Sequence, residues 1–327
     1  DAVDRGNPMR VMITGATGFV GGWLTERLLA ETGWRVMAFS RGGRWPDPLA
    51  HLSNVPLVNG DCADPESIRR VVASFQPQAI VHLAGMTSPG QSFKDPSAAW
   101  HDNLGGARGL LTGIAEAGIK PLVLHVGTGL VYAPPSGGES LSEDAPLGPA
   151  SPYAASKLAG EAAAAELAAK HGIPIILARP FNHIGPRQGT QFAIGSFASQ
   201  VAAIARSGLP GVIETGNLAP RRDLSDVRDI VNVYYLLIRR GLPGGPYNIG
   251  SGMSVSMSLV LERLIALAGV SVEVRTRSDL LRPGDPLDFR ADCSRVMAET
   301  GWKPAISLDK TLSDILASFA GDAASIH

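Results

Sequence analysis

The sequence predicts an α/β protein built on a doubly wound parallel sheet. Two observations lead to this fold class. Short apolar runs alternate with segments of helical spacing as far as about residue 179, and a glycine-rich turn separates the first strand from the first helix. Strands that alternate with helices in this way pair in parallel through right-handed crossovers. The doubly wound sheet is the simplest architecture for that pattern.

The predicted elements follow one another in a regular order. Strands are expected at residues 10–14, 35–40, 56–58, 79–83, 122–126 and 175–178, and helices at 23–31, 65–74, 98–117 and 153–171. Beyond residue 179 the alternation weakens, and Gly and Pro become frequent. We therefore expect one domain over residues 9–179 and a smaller region over 180–327 that closes over a ligand. Some segments of this second region are expected to return to the sheet.

The composition indicates a protein with a sizeable apolar core. The chain has 327 residues, of which 45% are hydrophobic, and 29 basic side chains stand against 30 acidic ones. This balance gives no reason to expect a nucleic-acid or membrane surface. The two cysteines, Cys62 and Cys293, fit neither a disulfide framework nor the spacing of a zinc site. Since the N-terminal segment is polar and membrane-spanning apolar runs are lacking, we expect a cytoplasmic protein without a metal.

The glycine-rich turn after the first strand predicts a dinucleotide site. Gly15, Gly18 and Gly21 follow the strand and open the helix with the spacing G-x-x-G-x-x-G. Glycine tolerates the positive φ of such a turn, and its missing side chain lets the backbone approach a pyrophosphate. The helix N-terminus then offers free N–H groups to the phosphates. We interpret residues 9–179 as a Rossmann-type domain that binds NAD(P) here; a purely structural turn is the alternative.

The end of the second strand favours NADP(H) over NAD(H). A site for NAD usually has a carboxylate at this point, which binds the ribose 2′-hydroxyl. Here the strand ends in Ser40-Arg41, and the next carboxylate is Asp47. Ser40 can hydrogen-bond a 2′-phosphate and Arg41 can neutralise it. The alternative is that Arg41 and the nearby Arg44 lie on a solvated loop. Asp61, after the third strand, is expected to accept a hydrogen bond from the adenine amino group; a surface turn is its alternative.

Tyr153 and Lys157 form the predicted acid–base pair. They lie four residues apart at the start of a helix, and so on one of its faces. A phenol with a pKa of about 10 is a poor acid–base group at neutral pH, but a neighbouring ammonium lowers that pKa. Thr128, just past the strand at 122–126, is expected to hydrogen-bond the reacting oxygen. A chance pair on a helix and a strand-terminal threonine are the alternatives.

In order and spacing, these motifs resemble the extended short-chain dehydrogenase/reductase family. They are Thr14-Gly15-Ala16-Thr17-Gly18-Phe19-Val20-Gly21, His82-Leu83-Ala84-Gly85, Asn103, Thr128 and Tyr153-x-x-x-Lys157, and the resemblance extends from about residue 10 to residue 319. It implies that Tyr153 is the acid–base residue, Lys157 its activator and Thr128 the third catalytic group. It implies that Asn103 supports the active-site helix. The implied cofactor site comprises Gly15, Thr17, Gly18, Phe19, Val20, Ser40, Arg41, Asp61, Cys62, Leu83, Ala84, Gly85, Asn103, Tyr153, Lys157, Pro180 and His183.

The second half of the chain resembles the nucleotide-sugar branch of that family. Residues 179–186 read Arg-Pro-Phe-Asn-His-Ile-Gly-Pro, and the likeness continues at 216–218, 221–229 and 281–285. It is especially similar to GDP-mannose 4,6-dehydratases and the related GDP-4-keto-6-deoxy-mannose reductases. The resemblance implies a GDP-linked sugar, with a uridine or thymidine diphosphate sugar as the alternative. It also implies that Arg222 and Arg282 clamp the diphosphate as planar, charged forks. For Arg222, an ion-paired surface is the alternative. The remaining implied substrate residues are Thr87, Ser88, Thr128 and Asn182.

One departure from the family pattern bears on the reaction. The dehydratases carry Thr-x-Glu-x-Tyr, and the glutamate helps to remove the C5 proton and expel water from C6. This chain reads Thr128-Gly129-Leu130-Val131-Tyr132. Leucine cannot accept a proton, which argues against 4,6-dehydration. We therefore expect an NADPH-dependent reduction of the C4 ketone of a GDP-4-keto-6-deoxy-hexose, with GDP-rhamnose or GDP-6-deoxy-talose as the product.

Two other functions are compatible with the same residues or the same fold. A nucleotide-sugar 4-epimerase would hold NAD tightly and consume no cofactor overall, and Ser40 and Arg41 argue against it. A non-catalytic dinucleotide-binding scaffold would not need the intact catalytic residues. Because histidine titrates near neutrality, His183 could act as a second acid. The alternative, which we favour, is that it only lines the pocket. The resemblance also implies a homodimer, in which the helices starting near residues 98 and 153 form a shared bundle.

Overall fold

A seven-stranded parallel sheet forms the centre of the computed structural model, which describes residues 9–321 except residues 32, 136 and 281–287. The strands of the described part of the chain are β1 (Arg10–Thr14), β2 (Arg35–Ser40), β3 (Leu57–Asn59), β4 (Ala79–His82), β5 (Leu122–Val126), β6 (Ile175–Pro180), β7 (Asn182–Ile184), β8 (Gly211–Thr215), β9 (Arg221–Asp226), β10 (Gly244–Ile249), β11 (Ser254–Ser256), β12 (Val272–Thr276) and β13 (Asp288–Phe289). The order in the large sheet is β10-β6-β5-β4-β1-β2-β3, with parallel neighbours throughout. The strand order reverses between β1 and β4, where such sheets open a ligand crevice. The predicted fold class is confirmed.

Helices cover both faces of this sheet. They are α1 (Phe19–Leu29), α2 (Pro65–Phe75), α3 (Pro89–Lys94), α4 (Pro96–Trp100), α5 (Gly106–Glu116), α6 (Pro152–His171), α7 (Ala193–Ser207), α8 (Val227–Arg240), α9 (Met257–Ala268), α10 (Ser294–Thr300) and α11 (Leu308–Ala320). Side chains of a strand point to alternate faces, so Val11 and Ile13 join the core beneath α1, α8 and α10, while Met12 joins the core beneath α2 and α5. Within the described residues, we find no helix with the length and apolarity needed to cross a membrane.

The boundaries of α6 follow from the residues at its ends. Ser151 caps the first turn by accepting a backbone N–H hydrogen bond at 3.1 Å, and Pro152 occupies the first helical position. Gly172 ends the helix with a left-handed φ of 62°. Proline at the start and glycine just past the end are the residues that helices favour there. As a result, Tyr153 and Lys157 lie on the first two turns of the helix.

Two of the predicted helices differ from their expected bounds by more than one residue. Helix α1 begins at Phe19 rather than at residue 23, because Gly18 is its N-cap and the glycine-rich segment continues as helix. The helix expected over residues 98–117 is divided into α4 and α5 by a π-helical turn at His101–Gly105. Hydrophobic periodicity does not reveal such a turn, since it adds a residue without a change of composition.

Beyond residue 179 the chain forms a second group of elements and also returns to the sheet. Strand β9 pairs with β7, β11 and β13, and β8 pairs with β12. Helices α7, α9 and α11 share an apolar core. Residues 227–249 return to the large sheet, where α8 packs on α1 and β10 pairs with β6 as the edge strand. The division into two domains at residue 179 stays a prediction.

Candidate active site

A cleft of about 940 Å³ lies at the carboxyl ends of the parallel strands. Its walls come from the segments that follow β1, β2, β4, β5 and β6, and from residues of β7, α7 and β9. This is the position in which doubly wound sheets bind ligands. The predicted site residues that line the cleft are Gly15, Thr17, Gly18, Phe19, Val20, Ser40, Arg41, Asp61, Cys62, Leu83, Ala84, Gly85, Thr87, Thr128, Tyr153, Lys157, Pro180, Asn182, His183 and Arg222.

Two predicted site residues within the described part of the chain, Ser88 and Asn103, are not part of this lining. Ser88 is the N-cap of α3, where its hydroxyl accepts a hydrogen bond from the Gln91 N–H at 3.2 Å. Its hydroxyl therefore holds a helix end instead of facing the cleft. Asn103 is buried behind the cleft wall. Arg282 lies outside the described residues.

In the loop between β1 and α1, no side chain of Gly15, Gly18 or Gly21 prevents a phosphate group from approaching the backbone. Gly15 has a φ of 72°, and a Cβ at this position would lie 2.8 Å from the backbone nitrogen of Ala84. A Cβ on Gly21 would overlap the carbonyl oxygen of Gly15. Gly18 caps α1 without a side chain that could occupy the first N–H groups of the helix. Exposed N–H groups and the positive end of the helix dipole fit the pyrophosphate of a dinucleotide.

Ser40 and Arg41, the predicted 2′-phosphate residues, both have neighbours that orient them. The Ser40 Oγ lies 2.7 Å from the Thr17 Oγ1. Arg41 donates two hydrogen bonds to the Asp102 carboxylate, at 2.9 and 3.0 Å, while its side chain stays 60% exposed. The pair raises the pKa of Arg41. Because a guanidinium has five N–H donors, the oriented side chain keeps others for a phosphate.

Asp61 and Cys62 follow β3 and line the cleft near Arg41. The Asp61 Oδ1 accepts a hydrogen bond from the Ala63 N–H at 2.9 Å, which fixes the carboxylate at the turn. Burial raises the pKa of Cys62 to about 12, so this thiol is neutral. Asp61 thus supplies charge at this end of the cleft, and Cys62 supplies an uncharged wall.

Tyr153 reaches the cleft beside Thr128. The phenol hydrogen-bonds the Thr128 side chain, whose Oγ1 also accepts from the Leu130 N–H at 3.3 Å. The Ser92 hydroxyl accepts from the Tyr153 backbone N–H at 3.0 Å and so fixes the first turn of α6. Tyr153 and Thr128 therefore face the same part of the cleft.

Burial controls the protonation of the Tyr153–Lys157 pair. Burial raises the pKa of Tyr153, and the hydrogen bond with Thr128 offsets only part of this rise. Burial also lowers the pKa of Lys157 to about 8, against the opposing charge of Asp102. The Lys157 Nζ donates to the Val126 carbonyl oxygen at 3.2 Å. The expected lowering of the phenol pKa by the ammonium is not seen in this structure, where burial has the largest effect on the pKa of Tyr153.

Asn103 supports α6 from the π-helical turn. Its Nδ2 donates to the Ser156 Oγ at 2.9 Å, and the Ser156 hydroxyl in turn donates to the Tyr153 carbonyl oxygen at 2.9 Å. The Asn103 Oδ1 is buried and has no hydrogen-bond partner among the described residues. A Cβ on Gly85 would contact both this oxygen and the Lys157 Nζ. The side chain therefore anchors the catalytic helix and presents an acceptor near the ammonium.

Residues from the second half of the chain form the far wall. The His183 Nδ1 donates to the Phe181 carbonyl oxygen at 3.1 Å, which leaves the Nε2 as an acceptor. Burial lowers the pKa of His183, so it is a neutral ring and not the second acid considered from the sequence. Asn182 lies beside it on β7. Arg222, on β9, is 8% exposed and donates to the Arg221 carbonyl oxygen at 2.7 Å. It brings a positive charge to this wall.

Sequence reasoning missed three polar residues in and around the cleft. Asp102, which pairs with Arg41, lies in the π-helical turn, and the turn has no signal in the spacing. Tyr234 lines the cleft from α8, and its hydroxyl is buried without a hydrogen-bond partner in the described part of the chain. His125 is buried in β5, and neither of its ring nitrogens has a described partner. A histidine within the apolar strand Leu-Val-Leu-His-Val was the available signal for the third residue.

The whole arrangement has counterparts among known proteins. A model of the NAD dependent epimerase/dehydratase family matches residues 11–250, which include the glycine loop, Thr128, Tyr153 and Lys157. The chain belongs to this family. It is an NAD(P)-dependent enzyme, and the predicted resemblance to the extended short-chain dehydrogenase/reductase family is confirmed.

Relatives of similar sequence have different activities. The chain is 31% identical to a GDP-6-deoxy-D-mannose reductase of Pseudomonas aeruginosa, over 95% of this chain and 97% of the relative. It is 29% identical to a UDP-glucose 4-epimerase of Mycolicibacterium smegmatis, over 95% and 98%. The sequence similarity therefore shows the family but does not distinguish between these reactions. The residues of the site must be used to choose between them.

Solved structures of relatives with different activities are equally similar to this chain. RMD from Pseudomonas aeruginosa complexed with NADPH has a TM-score of 0.83 and 30% identity, covering 96% of this chain and all of that one. The UDP-glucose 4-epimerase of Thermus thermophilus in complex with NAD has a TM-score of 0.84 and 29% identity, covering 96% and 99%. The fold thus accommodates a nicotinamide dinucleotide with or without the 2′-phosphate.

Proposed function

We propose that the chain reduces the C4 ketone of a GDP-4-keto-6-deoxy-hexose with NADPH and forms GDP-rhamnose or GDP-6-deoxy-talose. The observation that carries this proposal is Leu130, which lines the cleft next to Thr128. A 4,6-dehydratase needs a base for the C5 proton, and an apolar side chain cannot serve as one. Reduction of a ketone needs a hydride and one proton, and the hydroxyls of Thr128 and Tyr153 are sufficient for the proton.

The carboxylates that line the described part of the cleft belong to other elements than Thr128 and Tyr153. Among the described lining residues they are Asp61, Asp102 and Glu214. Asp102 is paired with Arg41, and Glu214 forms an ion pair with Arg277 at 2.8 Å. None of the three follows β5 or starts α6, the elements that carry the catalytic candidates. This distribution supports reduction over dehydration.

The side chains have complementary parts in the proposed reaction. Bound NADPH supplies the hydride to the sugar C4. Tyr153, which burial keeps protonated at neutral pH, gives its phenolic proton to the C4 oxygen as negative charge develops there. The Lys157 ammonium then stabilises the phenolate. Thr128 hydrogen-bonds the C4 oxygen and holds the ketone in place. The proton of Tyr153 is restored from solvent.

We propose NADP(H) as the preferred cofactor because Ser40 and Arg41 end the second strand. The bidentate bond to Asp102 orients the guanidinium, so little side-chain freedom is lost when a phosphate binds. The variant Arg41→Ala should lower kcat/KM for NADPH by roughly ten- to a hundredfold, since a hydrogen-bonded charge is lost. For NADH, kcat/KM should change by less than about threefold. Equal losses with both cofactors would contradict the preference.

The GDP moiety and the homodimer are also proposals. Similarity to the GDP-6-deoxy-D-mannose reductase over nearly the whole chain supports GDP, and Arg222 offers positive charge for the diphosphate. Exposed Trp100, at the end of α4 and 42% accessible, supports a second subunit packing near α6. Light scattering of the purified chain measures the dimer directly, and a competition series of GDP, UDP and dTDP measures the base preference.

The deciding experiment follows NADPH oxidation at about 340 nm with GDP-4-keto-6-deoxy-mannose generated in situ. Oxidation should require the sugar and should fall by roughly a hundredfold or more in Tyr153→Phe. Tyr235→Phe is the matched control, because its hydroxyl accepts from Arg239 at 2.7 Å on α8, outside the cleft lining. NMR of the product then assigns the configuration at C4. Absence of sugar-dependent oxidation would refute the reductase.

A 4-epimerase is the second candidate, since two UDP-glucose 4-epimerases are 29% and 30% identical to this chain. An epimerase would release no oxidised cofactor and would interconvert C4 epimers of a nucleotide sugar with bound NAD. If NADPH oxidation is absent, purified protein should be analysed for bound NAD and assayed with nucleotide sugars. Interconversion without net oxidation would assign the second activity.

A further inference from the structure

Tyr234 differs from the other tyrosines of the chain. The sequence has five tyrosines, all within the described residues. Four of the hydroxyls bind a side chain: Tyr132 donates to Asn248, Tyr235 accepts from Arg239, Tyr247 donates to Glu299, and Tyr153 pairs with Thr128. The Tyr234 hydroxyl is buried and has no hydrogen-bond partner among the described residues. A buried hydroxyl without a partner is costly, so native proteins rarely leave one unexplained.

The position of Tyr234 indicates which ligand group would satisfy its hydroxyl. The residue belongs to α8, the helix that packs on α1, and it lines the active-site cleft. Val126, at the end of β5, and Phe181, after β6, line the cleft and belong to the same apolar core as Tyr234. Burial raises the pKa of Tyr234, and the charge of an ionised Tyr153 adds to this rise. The hydroxyl therefore lies within electrostatic range of the catalytic phenol.

A dinucleotide in this cleft has a defined direction. Ser40 and Arg41, at the end of β2, mark the adenosine half, and the glycine loop after β1 marks the pyrophosphate. The other half must continue over β4, β5 and β6 on the opposite side of β1. This is where Tyr153 and Lys157 lie. The nicotinamide ring is consequently the cofactor group that reaches the end of the cleft that Tyr234 lines.

The chemistry of that end favours one polar partner. Its walls include the apolar side chains of Val126, Leu130, Pro180 and Phe181, which match a nicotinamide ring. The ring carries a single uncharged polar substituent, the carboxamide. We propose that the Tyr234 hydroxyl donates a hydrogen bond to the carboxamide oxygen of the nicotinamide, and that Tyr234 is a positioning residue that sets the ring against the sugar C4. This inference rests on the dinucleotide binding of the proposed function but not on the identity of the sugar.

Binding measurements test the inference without turnover. Phenylalanine keeps the ring of Tyr234 and removes only the hydroxyl, so Tyr234→Phe should fold, with its melting temperature as the check. The dissociation constant of NADPH, measured by its fluorescence, should rise by about two- to tenfold, as expected for one net hydrogen bond. The dissociation constant of 2′,5′-ADP, which lacks the nicotinamide, should stay the same. Tyr235→Phe is the matched control and should leave both constants unchanged.

A modified cofactor tests whether the carboxamide oxygen itself is the partner of Tyr234. Thionicotinamide NADPH carries sulfur, a weak acceptor, in place of this oxygen. The wild-type chain should bind it less tightly than NADPH, and the ratio of the two dissociation constants should fall towards one in Tyr234→Phe. An unchanged ratio would overturn the inference, as would a loss shared equally by NADPH and 2′,5′-ADP. The inference would also be overturned if Tyr234→Phe raised only the KM of the sugar. If the wild-type chain bound no nicotinamide dinucleotide, the proposed function would fail together with the inference.

Discussion

Replacing His125 with leucine is expected to reduce the sensitivity of the protein to acid. His125 on β5 and His82 on β4 are buried neighbours whose ring centroids lie 5.4 Å apart. Burial lowers the pKa of His82 to about 3, and burial together with His82 and the Lys157 ammonium places the pKa of His125 well below its usual value. His82 is therefore neutral in the folded protein at pH 5 and above, and we expect the buried His125 to stay neutral over the same range.

The sign and size of the effect follow from proton linkage. In the unfolded chain a histidine has a pKa of about 6.5 and binds a proton as the pH falls below that value. The unfolded state then binds more protons than the folded state, so the free energy of unfolding decreases as the pH falls. Between about pH 7.5 and about pH 5 each of His82 and His125 lowers it by about 2 kcal/mol. Together this is a large share of the roughly 5–15 kcal/mol by which domains are stable.

Urea unfolding at both pH values measures this effect. The wild-type protein should lose about 2 kcal/mol more than His125→Leu over the interval, because the variant has one fewer titrating group. Each protein is compared with itself at the two pH values. Any effect of the substitution on stability that is independent of pH therefore cancels. His171→Gln is the control, since His171 is exposed at the end of α6 and should leave the wild-type loss intact. Equal losses in wild type and His125→Leu would refute a neutral, buried His125.

Three further predictions concern the glycine loop, the buried ion pair and the catalytic lysine. Gly21→Ala should abolish measurable NADPH binding and lower the melting temperature, because its Cβ would overlap the Gly15 carbonyl oxygen; unchanged binding by fluorescence titration would contradict this. Glu161→Gln should lower the free energy of unfolding by about 3–5 kcal/mol, since it leaves the Arg179 guanidinium, now 2.6 Å from the carboxylate, buried without its counter-charge; a urea titration measures the loss. Wild-type kcat/KM for reduction should fall as the pH rises through about 8, where Lys157 loses its proton, and Lys157→Met should be slower by roughly a hundredfold or more and lack this dependence.

Local patterns predicted most elements of the first half of the fold, although they did not reveal α3 or the π-helical turn. Most strands of residues 9–179 are short apolar runs, and some helices are marked by their caps, such as Ser151 and Gly172 around α6. These signals are short in range, so one sequence contains them. The return of α8 and β10 to the large sheet depends on packing between segments far apart in the chain, such as α8 on α1. The sequence suggested that some segments return but not which ones.

In the candidate site, too, features set by neighbouring residues could be predicted, whereas contacts between residues far apart in the sequence could not. The glycine loop, Tyr153 and Lys157 are close in sequence to the elements that position them, and their place in the cleft could be predicted. The pairing of Arg41 with Asp102 joins residues 61 positions apart in the sequence, across the π-helical turn. Protonation also depends on the fold, because the pKa values of Tyr153 and Lys157 follow their burial. Spacing on a helix predicted that the two residues share one face, and both line the cleft, but spacing carries no information on the burial that raises the pKa of the phenol.

The protonation states support one direction of chemistry. Reduction begins with a protonated acid, and burial leaves Tyr153 protonated at neutral pH. An epimerase must first oxidise the sugar, which requires the phenolate as a base. The same low dielectric that raises the pKa of Tyr153 strengthens the attraction between the Lys157 ammonium and the phenolate once the proton has been transferred. Because a raised pKa also makes the phenol a weaker acid, transfer of its proton in the proposed reduction depends on stabilisation of the resulting phenolate by the Lys157 ammonium.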